Sequence, residues 1–159
     1  MANGERVPMG HKALALILAA LLLAGCEIGG DGGSAEKESF IQEADSVCQQ
    51  YAARIGGIPA PQTFLRDFAV YMRRAVPIAR AQNRELRAMT PPEDQAADFN
   101  RMLQLLDQQL DLAEQAGEEA YAGREARAQA VMQESLAPAD EAARVATRIG
   151  FTTCARPGS

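Results

Sequence analysis

Apolar residues recur at steps of three and four positions in four successive segments of this chain, which is the spacing of one face of an α-helix. Glycine and proline residues separate the segments. The pattern predicts helices over about residues 36–55, 62–89, 90–123 and 124–149. No segment alternates polar and apolar residues over a length that predicts a β-strand. The sequence therefore predicts an all-α domain.

The second and fourth segments each contain a proline within the helical pattern. The apolar face of the second segment is formed by Phe64, Phe68, Tyr71, Ala75 and Ile78. Gln82 interrupts this face before it resumes. Pro77 predicts a kink or a short break that gives two helices, and Pro138 predicts a kink, because a proline ring displaces the carbonyl four residues earlier.

The ends of the third and fourth helices carry recognisable signals. Thr90 as N-cap, Pro91 as first helical residue and Glu93 as partner of the N-cap predict a capping box that opens the third helix. Gly150 predicts the C-cap of the fourth helix. Because the links are short, we expect an antiparallel, up-and-down four-helix bundle over residues 36–155, followed by a tail of residues 156–159.

The first 25 residues have the organisation of a signal peptide. Arg6 and Lys12 come before an uncharged apolar run of twelve residues, 13–24. A helix that spans a bilayer needs roughly 20 such residues, so this run has the length of the apolar part of a signal peptide. It ends in Leu23-Ala24-Gly25-Cys26, which resembles the lipobox of bacterial lipoproteins.

This resemblance implies that the chain is cut before Cys26 and that the thiol of Cys26 carries lipid. Two or more acyl chains anchor a protein stably, so we expect residues 26–159 to stay on the extracytoplasmic face of a cell membrane. The glycine-rich residues 26–35 predict a flexible tether with a reach of about 17 Å. The domain would therefore act close to the membrane surface.

Two cysteines remain once Cys26 is assigned to lipid. Cys48 and Cys154 form an even pair in an oxidising compartment, which favours a disulfide. A bridge that closes a loop of about 100 residues stabilises a fold by about 4.7 kcal/mol in the chain-entropy model. A free reactive thiol or a metal site is the alternative. A metal site would need further ligands, and the one histidine, His11, lies in the signal peptide.

Charge is distributed unevenly along the chain. Residues 26–159 carry 14 basic and 20 acidic side chains, and an acidic chain is a poor partner for nucleic acid. Arg66, Arg73, Arg80 and Arg87 recur every seven residues and form one stripe on the second helix. We interpret the stripe as a solvated face whose outermost arginines reach toward the acidic third helix. The alternative is an arginine comb that binds anionic lipid head groups or envelope polymers.

The residue types exclude several kinds of chemistry. Residues 26–159 contain no histidine, so Ser-His-Asp and Cys-His arrangements are excluded there. A solvated acidic face is favoured over a divalent-cation site for the acids spaced by three or four positions on the third helix, which are Asp107, Asp111, Glu114 and Glu118. Core packing is favoured over copper binding for Met72, Met89, Met102 and Met132. We expect no cofactor, no metal and no enzymatic activity.

Four short motifs link the domain to a group of known proteins. The motifs are Cys48-x-x-Tyr51-x-x-Arg54-Ile55, Ile58-Pro59-Ala60-Pro61, Met89-Thr90-Pro91-Pro92 and Gly150-Phe151-Thr152-Thr153-Cys154. They resemble small helical bacterial lipoproteins, mostly actinobacterial, that have an early and a terminal cysteine. The resemblance covers about residues 40–155 and implies no activity.

Three hypotheses for function follow from the sequence. The leading one is a non-enzymatic binding or scaffolding module of the cell envelope. The second is a subunit that docks on an envelope protein partner. The third is a helical carrier of a small apolar ligand, held in a cavity that the many alanines leave between helices.

Overall fold

The computed structural model describes residues 32–62 and 65–156. This part of the chain forms four α-helices, which in order are α1 (Gly32–Gly56), α2 (Arg66–Arg87), α3 (Ala96–Tyr121) and α4 (Glu125–Ile149). No strand occurs among these residues, so the predicted all-α class is confirmed. α2 packs against α1 and α3, and α3 packs against α4. The up-and-down order of the bundle stays a prediction.

α1 begins earlier than the sequence pattern predicts. Its first residue is Gly32, so residues 32–35, which we assigned to the tether, are helical. A helix that has formed extends by one hydrogen bond for each added residue, and Ala35 and Glu36 favour helix. The predicted signal peptide of residues 1–25, Cys26 and the rest of the predicted tether lie outside the described residues, as does Phe64 of the predicted apolar face.

α3 begins at Ala96, so the predicted capping box is wrong. Pro91 cannot open the helix because it comes directly before Pro92, and the residue before a proline is pushed out of the helical region. Instead, the backbone N–H of Gln95 donates to the carbonyl of Pro92 at 2.9 Å and closes a turn. The buried side-chain amide of Gln95 also donates to the carbonyl of Ile149 at 3.2 Å. This contact fixes the start of α3 against the end of α4.

Both interior prolines lie within helices that continue past them. α2 is one helix across Pro77, so the predicted alternative of a break into two helices is wrong. α4 likewise continues across Pro138. The kinks themselves stay predictions. The predicted C-cap is confirmed, because Gly150 has a φ of 104° and its N–H donates to the carbonyl of Ala146 at 3.2 Å.

The apolar core of the described residues consists of two clusters. The larger one contains the rings of Phe40, Phe99 and Phe151. The ring centroids of Phe40 and Phe99 are 5.0 Å apart in an edge-to-face arrangement, which aromatic pairs prefer. The smaller cluster is formed by Phe68, Ala69, Ala116, Ala120, Ala128 and Val131.

The predicted disulfide joins Cys48 of α1 to Cys154, which follows α4. The two Cα atoms are 5.3 Å apart, and the cysteines are 106 positions apart in the chain. The bond therefore fastens the end of the domain to its first helix. No helix of the described residues combines the length and the apolar composition that crossing a bilayer requires.

Candidate ligand-binding cavity

A cavity of about 350 Å³ lies between α2, α3 and α4. Its apolar wall includes Met72, Ala75 and Val76 of α2, Leu106 and Leu110 of α3, and Ala139 of α4. Small-molecule sites in proteins commonly have volumes of about 300–1,000 Å³ and predominantly apolar walls. The cavity falls within this range of size and composition.

The cavity lies where the two core clusters leave a gap. On α2 its lining residues fall within 71–83, after Phe68 of the smaller cluster and before Leu86 of the larger one. On α4 they fall within 136–143, after Val131 and before Val145, which belong to the same two clusters. The space therefore lies between the two core clusters and is partly open to solvent.

Alanines create the gap. Ala75 and Ala79 of α2, and Ala139 and Ala143 of α4, are pairs spaced by four residues that line the cavity. Residues at this spacing lie one above the other on the same face of a helix. Protein cores are packed as densely as organic crystals when side chains fill the space between elements. Alanines are too short to do so here, because each ends at Cβ.

Two buried amides form the polar part of the lining. Gln82 is 6% exposed and Asn83 is 4% exposed, and both line the cavity. The side-chain nitrogen of Asn83 donates to the backbone carbonyl of Leu103 at 3.3 Å and to a carboxylate oxygen of Asp107. The side-chain nitrogen of Gln82 lies 3.3 Å from the sulfur of Cys48, which is a weak acceptor.

The oxygen atoms of these two amides have no hydrogen-bond partner within the described part of the chain. The side-chain nitrogen of Asn83 donates to two acceptors, and these two hydrogen bonds fix the orientation of the amide group. Its oxygen therefore faces away from both acceptors. A buried polar atom without a partner costs about 1–3 kcal/mol of folding stability. The oxygens of Gln82 and Asn83 are therefore buried acceptors without a protein partner among the described residues.

Asp107 of α3 contacts a second residue of α2 in addition to Asn83. The guanidinium of Arg87 donates to its other carboxylate oxygen at 2.6 Å. The carboxylate of Asp107 therefore accepts a hydrogen bond from the amide of Asn83, and the guanidinium of Arg87 compensates its negative charge. This arrangement fixes the orientation of Asn83 without leaving an uncompensated anion next to the cavity.

The cavity opens to solvent beside α4. Leu136 is 47% exposed, although it also contributes to the lining. Asp140 and Arg156, which also line the cavity, are exposed as well.

The four arginines of the predicted stripe on α2 differ in their contacts. One nitrogen of Arg80 lies 2.8 Å from Asp111 and 2.6 Å from Glu114, and these carboxylates raise the pKa of Arg80. Arg87 binds Asp107, as described above. Thus two of the four arginines contact acids of α3, which is the arrangement that the solvated-face interpretation predicts. Binding of anionic surfaces by the stripe stays a prediction.

The other two arginines of the stripe are exposed. The guanidinium of Arg73 lies 5.5 Å from the ring centre of Tyr121, a distance typical of cation–π contacts. It borders a second groove of about 440 Å³ between α2 and α3. Arg66 is the first residue of α2.

The acids of α3 act as partners for these arginines. Asp107, Asp111 and Glu114 each form an ion pair with an arginine of α2. The described residues contain no group of three or more histidine, cysteine or acidic side chains that would hold a metal ion. Met72 and Met102 line the cavity, whereas Met89 packs against the larger core cluster and Met132 against the smaller one.

The chain matches no protein-family model, no curated protein and no solved structure. A proposal for the role of the cavity therefore rests on the chemistry of its lining. Two signals for the cavity are present in the sequence: the alanines of the second and fourth helices, and the interruption of the second apolar face at Gln82. Asn83 carries no such signal, because its burial depends on the way α3 packs on α2.

Proposed function

We propose that this protein is a lipid-anchored binding protein of the extracytoplasmic membrane surface, and that the cavity holds one small, largely apolar molecule. The observation that carries the proposal is the gap of about 350 Å³ in the core, walled by alanine, methionine, valine and leucine side chains. An engineered apolar cavity of about 150 Å³ is already large enough to bind benzene. A space of this size and lining suits a larger apolar ligand.

The location rests on the cysteines. The lipobox-like tetrad ending at Cys26 predicts the anchor, and the bond between Cys48 and Cys154 suits an oxidising compartment. A short tether before α1 would keep the domain attached to the bilayer. Apolar molecules accumulate in membranes, so a binding protein in this position would exchange its ligand with the lipid phase.

The lining suits binding better than catalysis. The sulfur of Cys154 is held in the disulfide, so it offers no thiolate nucleophile. The buried polar side chains of the lining, the amides of Gln82 and Asn83, do not ionise, so they cannot act as general acids or bases. The carboxylate of the lining, Asp140, is exposed to solvent. We therefore propose a binding or carrier role without a chemical step.

The anchor is tested by replacing Cys26 with Ser in the full chain. Cells fed radiolabelled palmitate should label the wild-type protein, which should fractionate with membranes. The Cys26→Ser protein should carry no label and should be released or remain unprocessed. Equal labelling and equal fractionation of the two proteins would overturn the anchor.

The cavity is tested by filling it. The full-length lipoprotein in lipid nanodiscs should unfold at a higher temperature when octanol is added, because a ligand at about 100 times its Kd stabilises the folded state by about 2.7 kcal/mol. Ala139→Leu should abolish this increase, since Ala139 lines the cavity. Ala137→Leu is the matched control, because Ala137 is an exposed residue of the same helix. An equal increase in both variants, or none in the wild type, would overturn the proposal.

A further inference from the structure

We infer that the ligand is a single-chain amphiphile, and that the cavity takes its one extended, unbranched hydrocarbon chain up to a limit of about 14 carbons. The inference rests on the proposed function, because it names the class of apolar molecule that the same cavity holds. It follows from the length of the cavity, from its volume and from the packed core at both of its ends. It excludes ring systems and branched molecules with as many carbons.

The cavity is long in the direction of the helices. The outermost lining residues of α2, Tyr71 and Asn83, lie about 18 Å apart at 1.5 Å for each helical residue. Those of α3, Met102 and Ala113, lie about 16 Å apart by the same rise. The hydrocarbon core of a bilayer is about 30 Å thick, so the chains of one leaflet span about 15 Å of it. The cavity therefore has about the length of an extended membrane acyl chain.

The lining residues of α2 and α3 lie side by side at both ends of this length. At one end the side chain of Asn83 donates to the carbonyl of Leu103 at 3.3 Å, and Leu103 adjoins the lining residue Met102. Near the other end a Cβ atom at Gly117, one helical turn beyond the lining of α3, would lie 2.8 Å from the Cβ of Met72. The two rows therefore border the same stretch of space, which is elongated and not round.

The volume of the cavity agrees with its length. In the ratio by which an apolar cavity of about 150 Å³ holds the six carbons of benzene, one of about 350 Å³ holds roughly 14 carbons. A straight chain of that size is about as long as one leaflet of a bilayer is thick. Spread over the whole length of the cavity, the volume leaves room for one chain, and not for a second chain or a ring system.

Packed core limits the length of chain that fits. Met72 packs against the smaller core cluster and Met102 belongs to the larger one, so a cluster lies at each end. Protein cores are packed too densely for the space to continue into them. The exposed lining residues are Leu136, Asp140 and Arg156. The polar end of the ligand stays in water at this opening, because burial without a partner is costly.

A cavity of fixed length discriminates between chains in a characteristic way. Each methylene group moved from water into the cavity raises the affinity roughly fourfold. The affinity for n-alkanols should therefore rise by this factor with each carbon and level off at about 14 carbons, where the cavity is full. Cyclododecanol should bind roughly tenfold or more weakly than dodecanol, because its ring would overpack a narrow space.

Equilibrium dialysis measures the binding of n-alkanols, from hexanol to octadecanol, and of cyclododecanol to the full-length protein in nanodiscs. Empty nanodiscs give the uptake by lipid, which is subtracted. Ala143→Leu and Ala113→Leu each fill one end of the cavity, at the last lining residue of α4 and of α3. Either variant keeps the test informative should the other fail to fold. Ala137→Leu, at an exposed position of α4, is the matched control.

The wild type and Ala137→Leu should show the same levelling point and the same preference for dodecanol over cyclododecanol. In Ala143→Leu and in Ala113→Leu the levelling point should move to chains about three carbons shorter, the number that leucine adds to alanine. Leucine at Ala139 acts differently, because Ala139 lies midway along the lining of α4 and a larger side chain there divides the cavity.

Equal affinities for dodecanol and cyclododecanol would overturn this inference and leave the proposed function standing. So would an affinity that rises without levelling off up to octadecanol, or a levelling point that neither end variant moves. Absence of binding by every alcohol would overturn the proposed function, and the inference with it.

Discussion

Asp45 of α1 accepts two hydrogen bonds from Thr152, one from its backbone N–H at 2.8 Å and one from its hydroxyl at 2.6 Å. Its other oxygen accepts the backbone N–H groups of Thr153 and Cys154, each at 2.9 Å. Burial alone would raise the pKa of Asp45, but these hydrogen bonds outweigh burial and lower the pKa below its ordinary value. The carboxylate therefore secures the end of the chain beside the disulfide.

Replacing Asp45 with Asn should destabilise the protein in a pH-dependent way. A carboxyl group whose pKa is lowered by folding stabilises the fold above its unfolded pKa of about 4, and this contribution is lost as the pH falls through the lowered value. Asp45→Asn should lower the free energy of unfolding by about 1–3 kcal/mol at neutral pH. The deficit should shrink as the pH falls below about 4 and should be lost once the pH has passed through the lowered pKa, at which folded wild-type Asp45 takes up its proton.

Urea denaturation at a series of pH values measures this effect. Glu43→Gln removes an exposed carboxylate of the same helix and serves as the control, which should stay close to the wild type at neutral pH. A deficit in Asp45→Asn that persists unchanged into strongly acidic solution would show that the carboxylate does not act in this way.

Gly117 permits a close approach of α3 to α2. A Cβ atom at Gly117 would lie 2.8 Å from the Cβ of Met72, which cannot move without its backbone. Gly117→Ala should therefore destabilise the protein by about 1–3 kcal/mol through overpacking, although alanine is favoured over glycine within a helix by about 1 kcal/mol. Thermal unfolding measures the net effect.

Gly33 provides the comparison for that substitution. It lies in α1, and an added Cβ would meet nothing within 4 Å. Gly33→Ala should leave the unfolding temperature unchanged or raise it. If Gly117→Ala were equally harmless, the two helices would not be in the close contact described.

Loss of the disulfide should affect both stability and the cavity. The Cys48→Ser/Cys154→Ser double variant should be about 2–5 kcal/mol less stable than the oxidised wild type in urea denaturation. Its affinity for octanol should also fall, because Cys154 lines the cavity and Cys48 contacts the amide of Gln82. Wild-type protein reduced with dithiothreitol should behave like the variant, and an unchanged urea midpoint after complete reduction would argue against this role.

Arg80 should contribute to stability through its two acidic partners on α3. Its side chain is 32% exposed, and ion pairs near a surface stabilise by up to about 1 kcal/mol. Arg80→Gln should lower the free energy of unfolding by about this amount, and salt should reduce the difference. Arg66→Gln, at an exposed position, is the control. A loss of stability in Arg80→Gln that salt leaves unchanged would contradict the ion-pair explanation.

The helices and the disulfide could be predicted because their signals are local or simple to count. Apolar periodicity predicted four helices, and the expected lipidation of Cys26 left Cys48 and Cys154 as a pair. The start of α3 could not be predicted in this way. It depends on the contact of Gln95 with Ile149, which are 54 positions apart, and on Pro92, which prevents Pro91 from opening the helix.

The cavity could be anticipated only in part. Its alanines and the polar interruption at Gln82 are visible in the sequence. Periodicity assigns residues to a helix face, however, and does not show whether the small residues of three helices meet at one level. The importance of Asn83 follows from its bond to the carbonyl of Leu103, which is a property of packed helices and has no sequence signature.

The most direct test of the cavity uses its methionines. Met72 and Met102 line it in addition to their contacts with the smaller and the larger core cluster, whereas Met89 and Met132 pack against these clusters without lining the cavity. In the full-length protein with isotope-labelled methionine methyl groups, held in nanodiscs, titration with octanol should shift the NMR signals of Met72 and Met102. The signals of Met89 and Met132 should stay in place. Unchanged Met72 and Met102 signals, or equal shifts of all four, would contradict binding in the cavity.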